Sequence, residues 1–509
     1  MVDETVQNEA DRRRGRRWWG VAALTLPALL ASMDLSVLFM AAPWLSADLA
    51  PSGTQLLWIM DVYGFAMAGL LITMGAWGDR IGRRRLLLAG AALFGAASVL
   101  AAFASTPETL VLARALLGVG GATLAPSTLA LIRTMFPDDG PRRAAIGVWT
   151  AAFTGGVVIG PIVGGVLLEH FWWGSVFLIN VPVMAALLLV GPVLLPESRD
   201  PGRPRPDVAS AVLSLLAVTA TIYGVKEFAA GTGGPMPVTG LIIGTLAGVL
   251  FVRRQQRARA PLIELALFGR RGFGAALSCQ AVVVAASAGM GFLAVQFVQL
   301  VLGLRPFTAA LWMLPTIAGT VAGIVLATTA VRWVRTAVPV GTGLLLAATG
   351  FLLLTTISAT STVPAVMAAY TVLTFGTGLV APLAVDLIVS TAPPERAGAA
   401  SALGETSAEF GGAVGIAILG TAAAAIYRTG LADTAPPELL VTRDAADTLG
   451  GALQIAPSLP DPTAAVTAAT DAFVCGFSTA AALAAVLLVV SAAVVTARLW
   501  NTAPTGEPR

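Results

Sequence analysis

Seven stretches of this 509-residue sequence contain no Asp, Glu, Lys or Arg, and each is long enough to cross a lipid bilayer as a helix. Six cover residues 86–107, 144–168, 171–196, 272–304, 306–331 and 472–497, and the seventh, 336–385, has room for two crossings. A membrane-spanning helix needs about 20 apolar residues, because its backbone amides and carbonyls must pair within the segment where no water reaches them. The sequence therefore predicts an all-α polytopic membrane protein.

The low charge content excludes a soluble multidomain enzyme. Only 12% of the residues are charged, against about 25% in ordinary soluble domains. The chain has one histidine, His170, one lysine, Lys226, and two cysteines in apolar runs. Histidine or thiolate metal sites, a disulfide framework and a lysine phosphate loop are therefore excluded. We expect no cofactor and no enzymatic activity. The basic residues lie in short clusters beside apolar runs, so we expect no nucleic-acid partner.

Hydropathy predicts fourteen spans, and the basic residues give them a direction. The tails and the alternate loops on the same side hold 26 of the 31 lysines and arginines, and the opposite loops hold three. Basic residues favour the cytoplasmic side of a membrane, so both termini are predicted to be cytoplasmic. The approximate spans are 19–44, 54–77, 85–104, 109–131, 143–168, 172–195, 207–228, 237–253, 272–300, 307–330, 337–357, 363–390, 398–426 and 469–497.

The first predicted inner loop carries the pattern GxxxDRxGRR over residues 75–84. Its defining residues are Gly75, Asp79, Arg80, Gly82 and Arg83. Glycine permits a tight turn and a close approach of helices. Asp79 is expected to meet a helix N-terminus or an arginine. The alternative is an ordinary basic inner loop.

Span 5 carries the pattern GxxxGPxxGG. Gly156, Gly160 and Gly164 recur at intervals of four and form a face of small residues suited to close helix packing. Pro161 removes one helical hydrogen bond and is expected to bend the helix. This face is predicted to be a rocking contact between the two halves of the protein, and plain packing is the alternative.

Together these patterns resemble two signatures of the major facilitator superfamily, and the second is typical of its antiporters. Arg114, followed by small residues in span 4, resembles a third signature, although Leu117 stands where the family usually has glutamine. Residues 33–37, with Asp34 kept and Ser36 in place of threonine, resemble a motif of the fourteen-helix drug:proton antiporters. Asp61, within residues 58–63, is typical of the exporters of quaternary ammonium compounds.

The resemblance implies a major facilitator fold with its spans grouped as six, two and six. The predicted divisions are a cytoplasmic tail 1–18, a six-helix bundle 19–195, inserted helices with a central cytoplasmic loop 196–271, a second six-helix bundle 272–497, and a cytoplasmic tail 498–509. The second bundle contains a long extracellular loop, 427–468, with several prolines. That loop is predicted to be either lightly structured or a small lid over the pore.

Acidic residues inside predicted spans are candidate functional groups, because an unpaired charge in a bilayer is costly. Asp34 lies near the middle of span 1, where withdrawal from water favours a bound proton. We assign Asp34 and Arg114 to proton coupling. The alternatives are that Asp34 is only a structural partner of Arg114, and that Arg114 extends to the membrane surface.

Four other residues are the candidates for binding substrate. Asp61 and Trp58 are three residues apart on one helical face, and a carboxylate beside an aromatic ring suits a lipophilic cation. Glu405 and Glu409 share a face of span 13. Tyr63 ranks lower, and Asp386 is predicted to be a structural or gate residue. The adjacent pairs Glu169–His170 and Lys226–Glu227 are predicted to lie at the membrane interface.

The resemblance and these residues predict a monomeric, proton-coupled antiporter of the bacterial inner membrane. It would exchange protons for small lipophilic cationic drugs through alternating access within the lipid bilayer. The proton gradient would supply the energy without a cofactor. The alternative is a self-resistance exporter dedicated to one natural product. A solute importer of the same fold is disfavoured by the glycine and proline pattern in span 5.

Overall fold

The structure is a computed structural model that describes residues 2–199, 207–229, 235–258, 267–268, 272–331, 333–392, 397–441 and 447–499. Most of the predicted tail 498–509 and of the central loop, and residues 442–446 of the long outer loop, lie outside these residues. The described residues form helices and no β-strand, which confirms the all-α prediction.

Twelve helices are long and apolar enough to cross a membrane, and two further bent helices bring the number to fourteen if each bent pair is one span. The fourteen are α1 (Val2–Leu49), α2 (Gly53–Ile81), α3 (Arg83–Ala102), α4 (Pro107–Met135), α5 (Asp139–His170), α6 (Ser175–Leu194), α7 (Val208–Ala229), α8 (Met236–Arg257), α9 (Phe273–Val301), α10 (Pro306–Ala330), α11 (Ala337–Leu354), α12 (Val363–Ser390), α13 (Ala397–Thr434) and α15 (Pro462–Leu499). A short helix, α14 (Leu449–Ile455), precedes α15.

The helices pack as two bundles that repeat the same pairings. In the first bundle α1 packs on α5, α2 and α3 pack on α4, and α3 packs on α6. In the second bundle α9 packs on α13, α10 and α11 pack on α12, and α11 packs on α15. The bundles meet through α2 with α13 and through α5 with α10, and these two contacts are equivalent under the same repeat.

Several close contacts between the bundles lie at one end of the molecule, where α1 ends, α2 begins and α14 is found. We call this the α14 end. There the rings of Phe39 and Phe292 lie 5.9 Å apart between centroids. The Gln299 side-chain amide donates to the Met40 carbonyl at 3.2 Å, and Gly165 faces Phe307. The α14 end is therefore the closed end of the structure.

The segment 427–468, predicted to be an outer loop, is partly helical. The α13 helix continues to Thr434 and α15 begins at Pro462. Asp461 accepts from the Ala464 amide at 3.0 Å and so caps the first turn of α15. Between the two helices, α14 lies on the end of α1, and the Gln454 side chain donates to the Ala47 carbonyl at 2.9 Å. This arrangement favours the lid alternative over a lightly structured loop.

The inserted helices α7 and α8 form a closely packed hairpin. Gly224, Gly240 and Gly244 bring the two backbones into contact. At the end opposite α14, Asp207 accepts two hydrogen bonds from the Arg254 guanidinium, from Nε to Oδ2 at 2.8 Å and from Nη2 to Oδ1 at 2.8 Å. These bonds lower the pKa of Asp207 to about 2. Because this native pKa is depressed, the contribution of the ion pair to stability is complete above about pH 4 and is lost as the pH falls toward 2.

The glycines of the span 5 pattern pack against α1. An added Cβ at Gly156 would lie 2.3 Å from the Leu29 carbonyl oxygen, and one at Gly160 would lie 2.1 Å from the Ser36 hydroxyl. Gly164 contacts Val37. These three glycines hold two helices of one bundle together, and the rocking contact between halves stays a prediction. The adjacent Gly165 contacts the other bundle at Phe307.

Both packed helices bend at the level of this contact. The α5 helix bends by 46° between Val157 and Ile159. Val157 is the residue whose carbonyl the ring of Pro161 displaces, as expected for a proline four residues later. The α1 helix bends by 44° between Asp34 and Ser36. The backbone is therefore deformed next to the acidic residue that span 1 carries.

The contact of Gly156 with α1 predicts a large effect for one added methyl group. We expect Gly156→Ala to destabilise the protein by about 1–3 kcal/mol, because the methyl group would overlap the Leu29 carbonyl. Gly155→Ala is the matched control, since no atom lies within 4 Å of its added Cβ. Thermal unfolding of the purified variants in detergent measures the difference. Equal stability of the two variants would contradict this packing.

Candidate functional site

Asp34 and Arg114 form an ion pair in the middle of the first bundle. The Arg114 side chain is 0% exposed and donates from Nη1 to Asp34 Oδ2. Its Nε donates to the Ile59 carbonyl at 3.1 Å, and its Cζ lies 4.7 Å from the centre of the Tyr63 ring. Arg114 therefore joins α4 to both α1 and α2. The alternative in which Arg114 extends to the membrane surface is wrong.

Tyr63 contacts this ion pair, although the sequence analysis gave it a low rank among the substrate-binding candidates. Its side chain is 3% exposed, and its hydroxyl donates to the Ala31 carbonyl at 3.4 Å. The Arg114 guanidinium lies over its ring, which is a favourable cation–π arrangement. Arg114 Nη2 is buried and has no hydrogen-bond partner among the described residues. One guanidinium nitrogen is thus available for a new partner without breaking another bond.

Asp61 lies two residues beyond Ile59 on α2 and forms a second buried ion pair. Its Oδ2 accepts a hydrogen bond from Lys226 Nζ at 2.7 Å, and the two side chains are 0% and 1% exposed. The same Nζ lies 4.2 Å from the centre of the Trp58 ring. An ammonium group is therefore held between a carboxylate and an aromatic face, as predicted for a cation at Asp61 and Trp58. Here the ammonium belongs to the protein.

This arrangement gives Lys226 a partner that the sequence did not indicate. Lys226 is buried in contact with α2 and is not exposed at the end of α7. The spacing along α7 gave its distance from the end of the span, whereas the direction of its side chain depends on how α7 packs against α2. Glu169 and His170 are exposed at the end of α5, and Glu169 lies 3.9 Å from Arg305.

A cavity of about 320 Å³ lies beside this second pair, between α2, α7, α9 and α13. Phe65, Gly69 and Thr73 line it along one face of α2, and Val218 lines it from α7. The Phe65 ring lies 6.4 Å from the Trp58 ring between centroids. The lining is mainly apolar, with a few hydroxyl groups. The cavity therefore begins at Phe65, one helical turn along α2 from Asp61, and neither Asp61 nor Trp58 lines it.

Glu405 and Glu409 lie on α13, which packs against α2. Both side chains are partly exposed, and the Glu409 backbone carbonyl lies 3.6 Å from an added Cβ at Gly64. Across the parts of the chain that the structure describes, no ion pair or hydrogen bond is recorded for either carboxylate. Their predicted role stays a prediction. Asp386 is exposed near the end of α12.

The GxxxDRxGRR loop joins α2 and α3 at the end opposite α14. Arg83 Nε donates to Asp79 Oδ1 at 2.7 Å, so Asp79 meets an arginine as expected. Gly82 has φ +115° and packs on Glu197, and an added Cβ would lie 2.5 Å from its Oε1. Arg80 is partly exposed. Gly75 makes ordinary contact with Pro126, at 3.7 Å from an added Cβ. The loop fixes the ends of α2 and α3 against the segment after α6.

Comparison with known proteins agrees with this architecture. The sequence profile of the Major Facilitator Superfamily matches residues 24–416. The chain is 43% identical over 483 residues to the multidrug efflux pump LfrA of Mycolicibacterium smegmatis, covering 94% of this chain and 96% of that protein. It is 35% identical over 488 residues to the methyl viologen resistance protein SmvA of Salmonella typhimurium, covering 94% and 97%.

A solved structure shares the fold. A bacterial homolog of the human lysosomal transporter Spinster, in an inward-facing conformation, superposes with a TM-score of 0.67 at 17% identity. The match covers 95% of this chain and 97% of that chain.

The buried pair in the first bundle predicts a strong loss of stability when one partner is removed. We expect Arg114→Met to cost about 3–5 kcal/mol, because Asp34 would be left buried without its cation. Arg133→Met changes an exposed arginine of the same helix and is the matched control. The double variant Asp34→Asn with Arg114→Met should recover part of the loss. Thermal unfolding in detergent measures the stability of all three variants. Equal losses of stability in Arg114→Met and Arg133→Met would contradict the pairing.

Proposed function

The chain belongs to the Major Facilitator Superfamily and is a multi-pass bacterial membrane transporter rather than an enzyme, and on that premise we propose that it exports lipophilic cations in exchange for protons. Its relatives include a multidrug efflux pump and a methyl viologen resistance protein. Methyl viologen is an organic dication, so that name supports a cationic substrate. In this proposal the protein belongs to the fourteen-helix, quaternary-ammonium branch of the superfamily and works as a monomer in the plasma membrane.

The observation that carries the proposal is the ammonium group held between Asp61 and Trp58. A carboxylate at 2.7 Å and an indole ring at 4.2 Å surround the nitrogen of Lys226. Substrate cations with aromatic or alkyl groups need the same two contacts, one for charge and one for the cation–π attraction. The apolar cavity that begins at Phe65 provides room for the lipophilic part of such a substrate. Asp61 and Trp58 therefore bind the cationic group in this proposal.

Asp34 carries the coupling proton. It is the only acidic residue in span 1, and its carboxylate accepts from Arg114. When Asp34 takes up a proton, its attraction for the Arg114 guanidinium weakens. Arg114 then needs another acceptor, because a buried guanidinium without one is costly. Proton coupling has to use carboxylates, since the one histidine of the chain is exposed at the end of α5.

Arg114 connects the proton site to the cation site. It donates to the Ile59 carbonyl and lies over the Tyr63 ring, and these two residues flank Asp61 along α2. A movement of the guanidinium therefore acts on the backbone that positions Asp61. Proton binding at Asp34 and cation binding at Asp61 are thereby linked, although the two carboxylates have different basic partners. This linkage drives export by the proton gradient without a cofactor.

The transport cycle exposes the cation site to each side of the membrane in turn. In the present structure the bundles meet at the α14 end, and the cavity that begins at Phe65 lies on the side of the site toward the opposite end. With the termini in the cytoplasm, this is an inward-facing arrangement, and α14 closes the outer side. Outward opening requires the contacts at Phe39 and Gln299 to break. Glu405 and Glu409 on α13 lie on the opposing bundle and provide further carboxylates for protons or cations.

Transport assays on reconstituted protein test the proposal. We expect wild-type protein in liposomes to move ethidium and methyl viologen when a pH gradient is imposed. Asp34→Asn and Asp61→Asn should each slow this transport by at least about tenfold, since a charge-assisted hydrogen bond contributes about 1.5–3 kcal/mol. Asp433→Asn, at an exposed acid near the end of α13, is the matched control and should be unaffected.

The other outcomes separate the parts of the proposal. If Asp61→Asn transports normally and Asp34→Asn does not, the protein is an antiporter whose cation site lies elsewhere, with Glu405 and Glu409 as the next candidates. If folded wild-type protein moves neither cation, a self-resistance exporter for one natural product becomes the better assignment. Transport that ignores the pH gradient would reject proton coupling.

A further inference from the structure

Lys226 is a buried cation that the proposed function leaves without a role. It is the only lysine in the chain and lies on the inserted helix α7, outside both six-helix bundles. Its ammonium group occupies the position between Asp61 and Trp58 where a substrate cation would bind. A substrate cation and the Lys226 ammonium cannot occupy this position together, because the space between Asp61 Oδ2 and the face of the Trp58 ring already holds one cationic group.

We infer that Lys226 is a tethered competitor of the exported cation: it neutralises Asp61 while the site is empty, and a substrate binds by displacing it. This inference rests on the proposed function and adds a specificity-determining residue to it. An empty site without Lys226 would leave Asp61 as an unpaired buried charge, which is strongly unfavourable. When no substrate is bound, Lys226 therefore keeps the ionised Asp61 carboxylate paired.

The structure provides a second place for the displaced ammonium group. Lys226 also lines a small cavity of about 10 Å³ on the side toward the α14 end, together with Thr421 and Asp447. The Thr421 hydroxyl is buried and has no hydrogen-bond partner among the described residues. Asp447 lies 3.9 Å from Arg428. A rotation of the long lysine side chain toward this cavity would give its ammonium new oxygen partners.

The competition explains a preference for lipophilic cations over small hydrophilic ones. Every cation that binds must replace the Lys226 ammonium group, which already contacts the Asp61 carboxylate and the Trp58 ring. A small ion gains nothing further, whereas a substrate with a large apolar part also fills the cavity at Phe65 and Val218. A neutral drug cannot replace the charge at Asp61. The net charge of the site is the same before and after the exchange with a monovalent cation.

The hairpin of α7 and α8 holds the competitor in place. Close glycine contacts join the two helices, and the Asp207–Arg254 ion pair joins them at the end opposite α14. A packed hairpin restricts where the base of the lysine side chain can be, so the ammonium remains at a high local concentration near Asp61. The inserted helices α7 and α8 thus keep the competing ammonium group next to the substrate site.

Equilibrium binding of ethidium to the purified full chain tests the competition. With Lys226 replaced by methionine, we expect the dissociation constant to fall by about tenfold, the change expected when a competitor that occupies about 90% of the sites is removed. Lys226→Arg keeps a cation at the position and should stay near wild type. Adding Asp61→Asn to Lys226→Met should abolish the gain. Unchanged or weaker binding by folded Lys226→Met would reject the inference.

A second measurement uses the wild-type protein and does not depend on the folding of a variant. Because the chain has one lysine, biosynthetic labelling with [ε-¹³C]lysine gives a signal from Lys226 alone. The nearby Trp58 ring is expected to shift this signal. Saturating tetrabutylammonium, a lipophilic cation without aromatic rings, should move the signal away from its ring-shifted position. Binding that leaves the signal unchanged would overturn the inference while leaving the proposed function intact.

Failure of the proposed function has a different result. If neither wild type nor Lys226→Met binds ethidium or tetrabutylammonium, and thermal unfolding shows that both are folded, cation export itself is rejected and the inference is rejected with it.

Discussion

The arrangement of this protein depends on the free-energy cost of a charge that is withdrawn from water. An acidic or basic side chain in the middle of a bilayer is tolerated when it has a partner, and the first bundle takes part in two such pairs, one of them with the inserted helix α7. Asp34 with Arg114 joins α1 to α4, and Asp61 with Lys226 joins α2 to α7. Each pair fixes the rotation of two helices about their axes, which apolar packing alone defines only loosely. Removing one partner leaves a buried charge unpaired, which costs more stability than replacing both partners by apolar residues. Each carboxylate therefore depends on its cation to stay ionised.

The second constraint is the close packing of α1 on α5. Glycines at intervals of four leave room for the backbone of α1, and the two helices bend at the same level. The bend of α5 follows from Pro161, whereas that of α1 lies directly after Asp34. The acidic residue is therefore next to a deformed part of the backbone, where a change of partner can be accommodated by a small rotation. The glycines at positions 156, 160 and 164 therefore pack beside the part of α1 that carries Asp34.

Hydropathy predicted the fold well because the bilayer allows few alternatives to helices of about 20 residues. The predicted spans and the structural helices differ mainly at α1, α13 and α15. The α1 helix begins within the arginine-rich segment before residue 19, and α13 and α15 continue beyond the predicted apolar cores to Thr434 and from Pro462. The aspartates were found from their positions within spans. Their partners were found only in part, since Asp34 and Arg114 were paired from motifs, whereas the Asp61–Lys226 contact was missed. Distance along a helix is readable from sequence, but the direction of a side chain depends on which neighbour the helix meets.

That missed contact changes how the binding site is understood. From sequence, Asp61 and Trp58 formed an empty negative and aromatic site, which would attract any cation. In the structure the Lys226 ammonium already occupies this position, so in the proposed function a cationic ligand replaces a group that is attached to the protein. Attraction between unlike charges then contributes little to the net binding free energy, because one ion pair is exchanged for another. Selectivity must come from the rest of the ligand and its fit to the apolar cavity along α2. A transporter built in this way discriminates by lipophilic surface among cations, and it rejects neutral molecules by charge.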